Sequence, residues 1–227
     1  MRHFTVVGTD TGVGKTFVTA ALIKAARRGG TLAFGLKPVE SGIGETAKSD
    51  TAILAEASER APAETNLVQF EPAIAPGLIG HNATEIDELV GFVVAQGGRT
   101  SSSHGPGSSA LAQVCFVETA GGWYSPLSQR GDVRELAAML AAPVIVVGKA
   151  SLGAINQIRL TVAAVAAAQL SIAMVVLSQR PSDDEALAAQ NEQAIAQRTG
   201  LSTMRLSSED DAASIVAALR KDTNFGW

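Results

Sequence analysis

GTDTGVGKT, residues 8–16, separates an apolar strand pattern from a helical pattern. The run over residues 3–8 predicts a buried β-strand, and Lys15–Arg28 has the composition of a helix that Gly29 and Gly30 close. Glycines allow a loop backbone to turn its N–H groups toward phosphate, and the start of the following helix adds partial positive charge. This strand, loop and helix are typical of a phosphate-binding loop and predict an α/β fold.

The loop departs from the strict pattern by one residue. The strict pattern has four residues between its first glycine and the Gly-Lys pair, whereas five separate Gly8 from Gly14 here. We still expect Lys15 to reach the terminal phosphates of a nucleotide and the Thr16 hydroxyl to coordinate Mg²⁺. The alternative, a glycine-rich turn followed by a chance Lys-Thr pair, does not account for the strand and helix on either side.

The rest of the chain alternates between strand and helix patterns. Strands are predicted at Leu32–Leu36 and at residues 114–117, 143–148 and 172–177, and a weaker strand pattern lies at Thr203–Leu206. Helices are predicted at residues 84–95, opened by Thr84 and Asp87, and at residues 131–141, 155–168, 185–198 and 210–220. The strand runs are continuously apolar, which indicates a mostly parallel sheet buried on both faces. We therefore expect one doubly wound α/β domain over residues 1–227, with its ligand site at the carboxyl ends of the strands.

Composition excludes several classes of protein. The 227 residues are 46% hydrophobic and 18% charged, which argues against disorder, and the formal net charge of -4 with 4% aromatic residues argues against a nucleic-acid-binding surface. Cys115 is the only cysteine, so a cysteine-based zinc site is excluded. Residues 160–177 are almost uncharged, but their change from alanine-rich to β-branched sequence favours a helix followed by a strand over a membrane span.

Two expectations concern location and flexibility. The first apolar run is too short for a secretory signal, so we expect a cytoplasmic protein that does not associate with membranes. The low-complexity segment at residues 97–109, GGRTSSSHGPGSS, has no apolar anchor and predicts a mobile surface loop rather than a domain linker.

Residues 62–82 lack periodicity but hold several apolar side chains, so they are expected to pack over another part of the molecule.

Charged residues near the ends of predicted strands are candidates for a metal site. Glu118 directly follows the strand at residues 114–117, where a carboxylate can hold Mg²⁺ beside the loop. Asp50 is a second candidate ligand, although it could equally be a helix cap. Lys37 and Ser41 follow the second strand and reach the same sheet edge, although a lysine at such a position is often only solvated.

Six segments in order along the chain resemble the dethiobiotin synthetase family. They are GTDTGVGKT at residues 8–16, KPVESG at 37–42, SDTAIL at 49–54, FEPAIAP at 70–76, VETAGGWYSPL at 117–127, and PVIVVG with SLGAINQIRLT within 143–161. The five-residue spacer of the loop is itself a feature of that family. The resemblance covers about residues 1–180 and implies a P-loop NTPase-like fold.

The resemblance implies ATP- and Mg²⁺-dependent closure of 7,8-diaminononanoate and CO2 to dethiobiotin, through a carbamate and a carbamic-phosphoric anhydride. It assigns catalytic roles to Lys15, Lys37, Thr11 and Ser41, and it assigns Mg²⁺ to Thr16, Asp50 and Glu118. The implied nucleotide-binding residues are Asp10, Thr11, Gly12, Val13, Gly14, Lys15, Thr16, Thr119, Gly121, Gly122, Ser178 and Gln179. The implied substrate-binding residues are Ser41, Pro76, Ser151, Leu152, Gly153 and Asn156, the last four receiving the distant carboxylate of the substrate across a homodimer interface.

Two positions depart from the family pattern. Thr119 replaces the usual glycine and is expected to place a side chain near the metal and the γ-phosphate, and Ser178 stands where many members have an asparagine near the adenine. A hydroxyl offers fewer hydrogen-bonding groups than an amide, so weaker discrimination between nucleotides is expected.

Two other functions stay open at this point. One is a P-loop ATPase switch of the partition or iron-protein type, although such proteins carry an additional lysine where this chain has Asp10. The other is a cobyrinic-acid-type amide synthetase. Such enzymes usually need a nucleophilic cysteine, and Cys115 lies in a strand expected to be buried.

Overall fold

A parallel six-stranded sheet forms the centre of the molecule. The computed structural model describes residues 1–44, 48–79, 84–98 and 113–222. The strands of the main sheet are β1 (Arg2–Gly8), β2 (Leu32–Leu36), β5 (Gln113–Gly122), β6 (Val144–Lys149), β7 (Ile172–Ser178) and β8 (Thr203–Leu206). They lie side by side in the order β2-β5-β1-β6-β7-β8, and every neighbouring pair is parallel. The predicted doubly wound α/β fold is confirmed.

Helices cover both faces of the sheet. They are α1 (Lys15–Arg28), α2 (Asp50–Ser58), α3 (Pro62–Thr65), α4 (Ile86–Gly98), α5 (Val133–Leu140), α6 (Ala154–Ala167), α7 (Glu185–Thr199) and α8 (Glu209–Lys221). On one face, α1 and α8 bury Leu22 and Ile215 in a common core with Phe4 of β1. On the other face, Leu136 of α5 and Ile158 of α6 pack in a second core. Apart from the half-buried edge strand β8, the strands are buried on both faces, which explains their mostly apolar sequence.

A second, two-stranded sheet stands apart from the main one. It pairs β3 (Val39–Ser41) with β4 (Val68–Phe70) in parallel, and a 3₁₀ turn follows at Pro76–Leu78. The sequence did not predict β3, β4 or α3, because three- and four-residue elements are too short to show periodicity. The unperiodic, apolar segment at residues 62–82 was expected to pack over another part of the molecule. Val68 and Phe70 pack against the second core, whereas residues 73–76 line a cavity at the sheet edge, and residues 80–82 lie outside the described part.

Several predicted boundaries need correction. Glu118 was placed just after a strand ending at residue 117, but β5 continues to Gly122, because β1 stays paired with it beyond Glu118, with Gly8 opposite Gly122. The helix predicted at residues 84–95 begins at Ile86 instead and continues to Gly98. The first two residues of the segment predicted as a loop, 97 and 98, therefore belong to this helix. Residues 99–109 of that predicted loop lie outside the described residues. Across the described part of the chain, every helix is too short or too polar to cross a lipid bilayer.

Candidate functional site

The glycine-rich loop has the backbone shape that its sequence predicts. Gly12 has φ 68° and Gly14 has φ 95°, a left-handed conformation in which a side chain is strained. A Cβ at Gly14 would also lie 2.3 Å from the Ser178 Oγ, so no larger residue fits there without displacing β7. Helix α1 begins directly afterwards at Lys15, and Gly14 provides no side-chain cap. The first amides of α1 are therefore available to an anion.

Lys15 is held within the loop that it would use to bind phosphate. Its Nζ donates to the Asp10 carbonyl at 3.0 Å and to the Gly121 carbonyl at 2.8 Å, and the residue is only 6% exposed. Burial, followed by the nearby ammonium of Lys37, lowers the pKa of Lys15 to about 8. An anion with several negative charges would relieve both effects, because its charge compensates the lost hydration and offsets the repulsion between the two cations.

Strand register brings Lys37 beside Glu118. Leu36 of β2 pairs with Val117 of β5, so the next residue of each chain segment stands at the same level of the sheet. The Lys37 Nζ donates to the Glu118 Oε1 at 2.6 Å and to the Asp50 Oδ2 at 2.8 Å. The Thr16 hydroxyl donates to the same Glu118 oxygen at 2.8 Å. Residues far apart in sequence, from α1, α2, β5 and the end of β2, thus form one hydrogen-bonded network that includes the fully buried Glu118 carboxylate.

Opposite charges control the ionisation of this cluster. Burial would lower the pKa of Lys37, but the carboxylates of Glu118 and Asp50 outweigh burial and raise it. Burial would raise the pKa of Asp50, but Lys37, with further hydrogen bonding from Thr16, lowers it. Lys37 therefore stays a cation and Asp50 an anion at neutral pH. The structure places Lys37 in a buried, ion-paired position at the sheet edge rather than a solvated one.

The oxygen atoms of the cluster fit a hard divalent cation. Glu118 Oε2 is buried and makes no hydrogen bond, so one carboxylate oxygen has capacity left for a ligand. Thr16 and Asp50 add a hydroxyl and a half-exposed carboxylate within the same network. Within the described ranges, no group of three His, Cys, Asp or Glu side chains could hold a metal by itself. A cation here would therefore need further oxygens from phosphate or water, which is the usual arrangement for Mg²⁺.

A cavity of about 560 Å³ opens over the loop and the charged cluster. Its volume lies in the range of small-molecule sites. One wall is polar and includes Lys15, Thr16, Lys37 and Asp50, and the other is the apolar segment at residues 73–76. The cavity can thus hold an anion at one end and an aliphatic chain at the other.

Ten of the 21 predicted site residues line this cavity. They are Thr11, Gly12, Gly14, Lys15, Thr16, Lys37, Ser41, Asp50, Pro76 and Gly121. Glu118 lies beneath them and contacts Thr16 and Lys37 directly. Val13 is buried within the loop, and Asp10 and Gly122 line a separate cavity of about 390 Å³.

Other predicted residues lie elsewhere. The Thr119 hydroxyl donates to the Val6 carbonyl at 3.1 Å inside the sheet, rather than toward the metal-site oxygens as the sequence had suggested. Ser178 packs against Gly14, and the Gln179 side chain bonds to Glu185 and accepts from Arg205. The residues predicted to receive a carboxylate are at the start of α6 and do not line the main cavity; they are Ser151, Leu152, Gly153 and Asn156.

Sequence reasoning missed two charged residues of the cavity. Glu40, in the middle of β3, is 5% exposed and lines the cavity together with Ser41. Arg180 follows β7 and also contributes to the lining. The sequence held a usable signal for Glu40, because it lies inside the KPVESG motif, but the strand that buries it was not predicted.

Comparison with known proteins gives a consistent set of relatives. A family model described as "AAA domain" matches residues 2–212. An ATP-dependent dethiobiotin synthetase BioD of Anaeromyxobacter dehalogenans (strain 2CP-1) is 37% identical over 205 residues, covering 88% of this chain and 86% of the relative. The protein of the same name from Xanthomonas campestris pv. campestris (strain 8004) is 38% identical over 170 residues, covering 72% of each chain.

Solved structures show the same fold at low sequence identity. The MinC:MinD cell division protein complex of Aquifex aeolicus matches with a TM-score of 0.52 and 14% identity, over 94% of this chain and 86% of that one. A ParA family ATPase of Chlorobium tepidum matches with a TM-score of 0.50 and 12% identity, over 97% of this chain and 93% of that one. These matches bear on the fold alone.

Proposed function

Because the chain belongs to the ATP-dependent dethiobiotin synthetase family, an ATP-dependent ligase family of biotin biosynthesis, we propose that it closes the ureido ring of dethiobiotin. One amine of 7,8-diaminononanoate adds to CO2 and loses a proton, which gives a carbamate. A carbamate oxygen then attacks the γ-phosphorus of ATP and releases ADP. Finally, the second amine attacks the carbonyl carbon of the resulting carbamic-phosphoric anhydride, releases inorganic phosphate and loses a proton.

The loop and the start of α1 form the proposed triphosphate site. The backbone of residues 10–16 supplies N–H donors, and Lys15 exchanges its two carbonyl partners for phosphate oxygens. These carbonyls hold the ammonium near its working position, so little side-chain entropy remains to be lost on binding. Asp10, Gly122, Thr119, Ser178 and Gln179 stay predicted nucleotide contacts.

The observation that carries the proposal is the buried ion-paired cluster beside the loop. Phosphoryl transfer from ATP to a carbamate brings two anions together, so cations must be fixed in place before the reaction. Lys37 is such a cation, because Glu118 and Asp50 hold its ammonium and keep it protonated. Positioning and charge neutralisation can supply most of the acceleration without a general base of unusual pKa.

Thr16, Asp50 and Glu118 are the residues that would hold Mg²⁺. When bound, the metal would neutralise phosphate charge during transfer. The protein itself orients the other reactant: Thr11 and Ser41 offer hydroxyls to the carbamate and the amine, and Pro76 belongs to an apolar wall for the aliphatic chain. This wall also limits the access of water to the reactive intermediate.

A homodimer is part of the proposal. The substrate carboxylate lies far from its amines, and among the α-helices of the described residues only α1 and α2 have their first residue in the lining of the main cavity. Ser151, Leu152 and Gly153 directly precede α6 and Asn156 lies in its first turn; Leu152 is 88% exposed and Gly153 has φ 90°. We propose that these residues of a second copy receive the carboxylate. A cytoplasmic location likewise stays a prediction.

Product formation tests the proposed function directly. Purified protein is incubated with 7,8-diaminononanoate, ATP, Mg²⁺ and bicarbonate, and dethiobiotin is followed by mass. Product formed in proportion to ADP supports the proposal. ATP hydrolysis at full rate without the diamine, and no dethiobiotin in its presence, would instead favour an ATPase switch. No reaction without an added amide donor would favour an amide synthetase.

A further inference from the structure

Glu40 is a buried carboxylate to which neither the fold nor the proposed reaction assigns a role. Its Oε1 accepts from the backbone amide of Asp50 at 2.6 Å. Its Oε2 accepts from the backbone amide of Thr51 at 3.1 Å, from the Thr51 hydroxyl at 2.6 Å and from the Gln69 side-chain amide at 2.9 Å. Four donors from α2 and β4 thus converge on one side chain of β3.

These contacts determine where α2 begins. The hydroxyl of the N-cap residue, Ser49, accepts from the Ala52 amide at 3.1 Å, and the Ser49 carbonyl accepts from the Ile53 amide, so the amides of Asp50 and Thr51 have no partner within the helix. Glu40 accepts both, and its negative charge is favourable at a helix start. Because Asp50 is the first residue of α2, the bond from its amide to Glu40 restrains the backbone that carries the Asp50 carboxylate.

The position of that carboxylate matters for the charged cluster. Asp50 is on a separate element from Thr16, Glu118 and Lys37, and its Oδ2 must stay 2.8 Å from the Lys37 Nζ. A shift of the first turn of α2 would separate Asp50 from the cluster without disturbing the sheet. Residues that orient metal ligands through hydrogen bonds commonly change metal affinity by roughly 10- to 100-fold when they are replaced.

We propose that Glu40 is a positioning residue for Asp50, and that it tunes the affinity of the nucleotide-bound site for a divalent cation through the two amides at the start of α2. The inference rests on the proposed metal-binding role of Asp50 but not on the identity of the second substrate. A direct contact between Glu40 and an amine of the substrate is the competing role, since Glu40 also lines the cavity. Its Oε2, however, is already saturated by three donors.

Glu40→Gln provides the sharpest test. An amide has a single acceptor oxygen, so its NH2 group must face either the Asp50 amide or the three donors on the other side. We measure Mn²⁺ binding by electron paramagnetic resonance, with the protein saturated by a non-hydrolysable ATP analogue. The Mn²⁺ dissociation constant is expected to rise by roughly tenfold. In the presence of EDTA, the dissociation constant of the Glu40→Gln protein for the analogue is expected to stay within about twofold of the parent value, since Glu40 does not contact the phosphate loop.

Two further variants separate positioning from charge and from stability. Glu40→Asp keeps the charge but is one methylene shorter, so it cannot span both amides and should also weaken Mn²⁺ binding. Ser208→Ala removes the N-cap of α8, where the Ser208 hydroxyl accepts from the Asp211 amide at 3.2 Å, and should lower stability without changing Mn²⁺ binding. Ser208 lies outside the cavity and serves as the matched control.

The outcomes are distinct. Weaker Mn²⁺ binding in both Glu40 variants, with Ser208→Ala unchanged, supports the positioning role even if the protein forms no dethiobiotin. Parent-like Mn²⁺ binding in a folded Glu40→Gln or Glu40→Asp protein overturns it. An increase in the KM for the diamine with unchanged Mn²⁺ binding also overturns it and assigns Glu40 to the substrate instead.

Discussion

Replacement of Lys37 by alanine should affect both turnover and stability, for separable reasons. Lys37 lies between a fully buried carboxylate, Glu118, and a half-exposed one, Asp50. In Lys37→Ala, Glu118 keeps the Thr16 hydroxyl as its hydrogen-bond donor but loses the cation that compensates its burial. Asp50 is solvated enough to tolerate the loss.

The magnitudes follow from this difference in burial. Removing one partner of a buried ion pair costs about 3–5 kcal/mol of folding free energy, whereas a solvated pair contributes about 1 kcal/mol or less. The Glu118 contact therefore dominates, and the loss is a large part of the roughly 5–15 kcal/mol that stabilises a typical domain. Turnover should fall by about a hundredfold or more, because one fixed electrostatic group is missing in the transition state.

Urea denaturation and the dethiobiotin assay measure the two effects on the same samples. The double variant Lys37→Ala/Glu118→Gln removes the unpaired buried charge and should recover at least half of the lost stability, while turnover stays low. Near-normal turnover in folded Lys37→Ala protein would remove Lys37 from the mechanism. An unfolding midpoint equal to that of the parent would contradict the argument from burial.

Two other predictions concern the nucleotide. Lys15 has a pKa of about 8 in the free protein, so about half of the Lys15 side chains are neutral at that pH. Polyphosphate binding should raise this pKa. Binding should therefore be accompanied by the uptake of about half a proton at about pH 8 and of almost none at about pH 6. Calorimetry in two buffers of different ionisation enthalpy measures the uptake, which should vanish in Lys15→Arg because arginine stays charged. The second prediction follows from Ser178, which packs against the loop, and from Gln179, whose amide is already bonded. In competition assays the kcat/KM values for ATP, GTP and CTP should therefore agree within about tenfold, and a strong preference for ATP would contradict this.

The longer elements were predictable because their patterns are local. Apolar runs identified five strands of the main sheet, a weaker pattern identified β8, and the loop motif located the start of α1. The short strands β3 and β4 escaped prediction, since their pairing depends on segments almost thirty residues apart, Glu40 with Gln69. The extension of β5 past Glu118 was missed for a similar reason, because neighbouring strands rather than local sequence determine where a buried strand ends.

The sequence by itself determined the chemistry that is available: a phosphate-binding backbone, two lysines, two acidic residues and an apolar segment, in an order that matches one family. Only the tertiary structure decided which of them act together. Sheet register places Lys37 beside Glu118, and the packing of α2 on Glu40 brings Asp50 to the same ammonium. The physical reason is that ion pairs and metal sites depend on distances of about 3 Å between atoms from distant segments, which spacing along a chain does not encode.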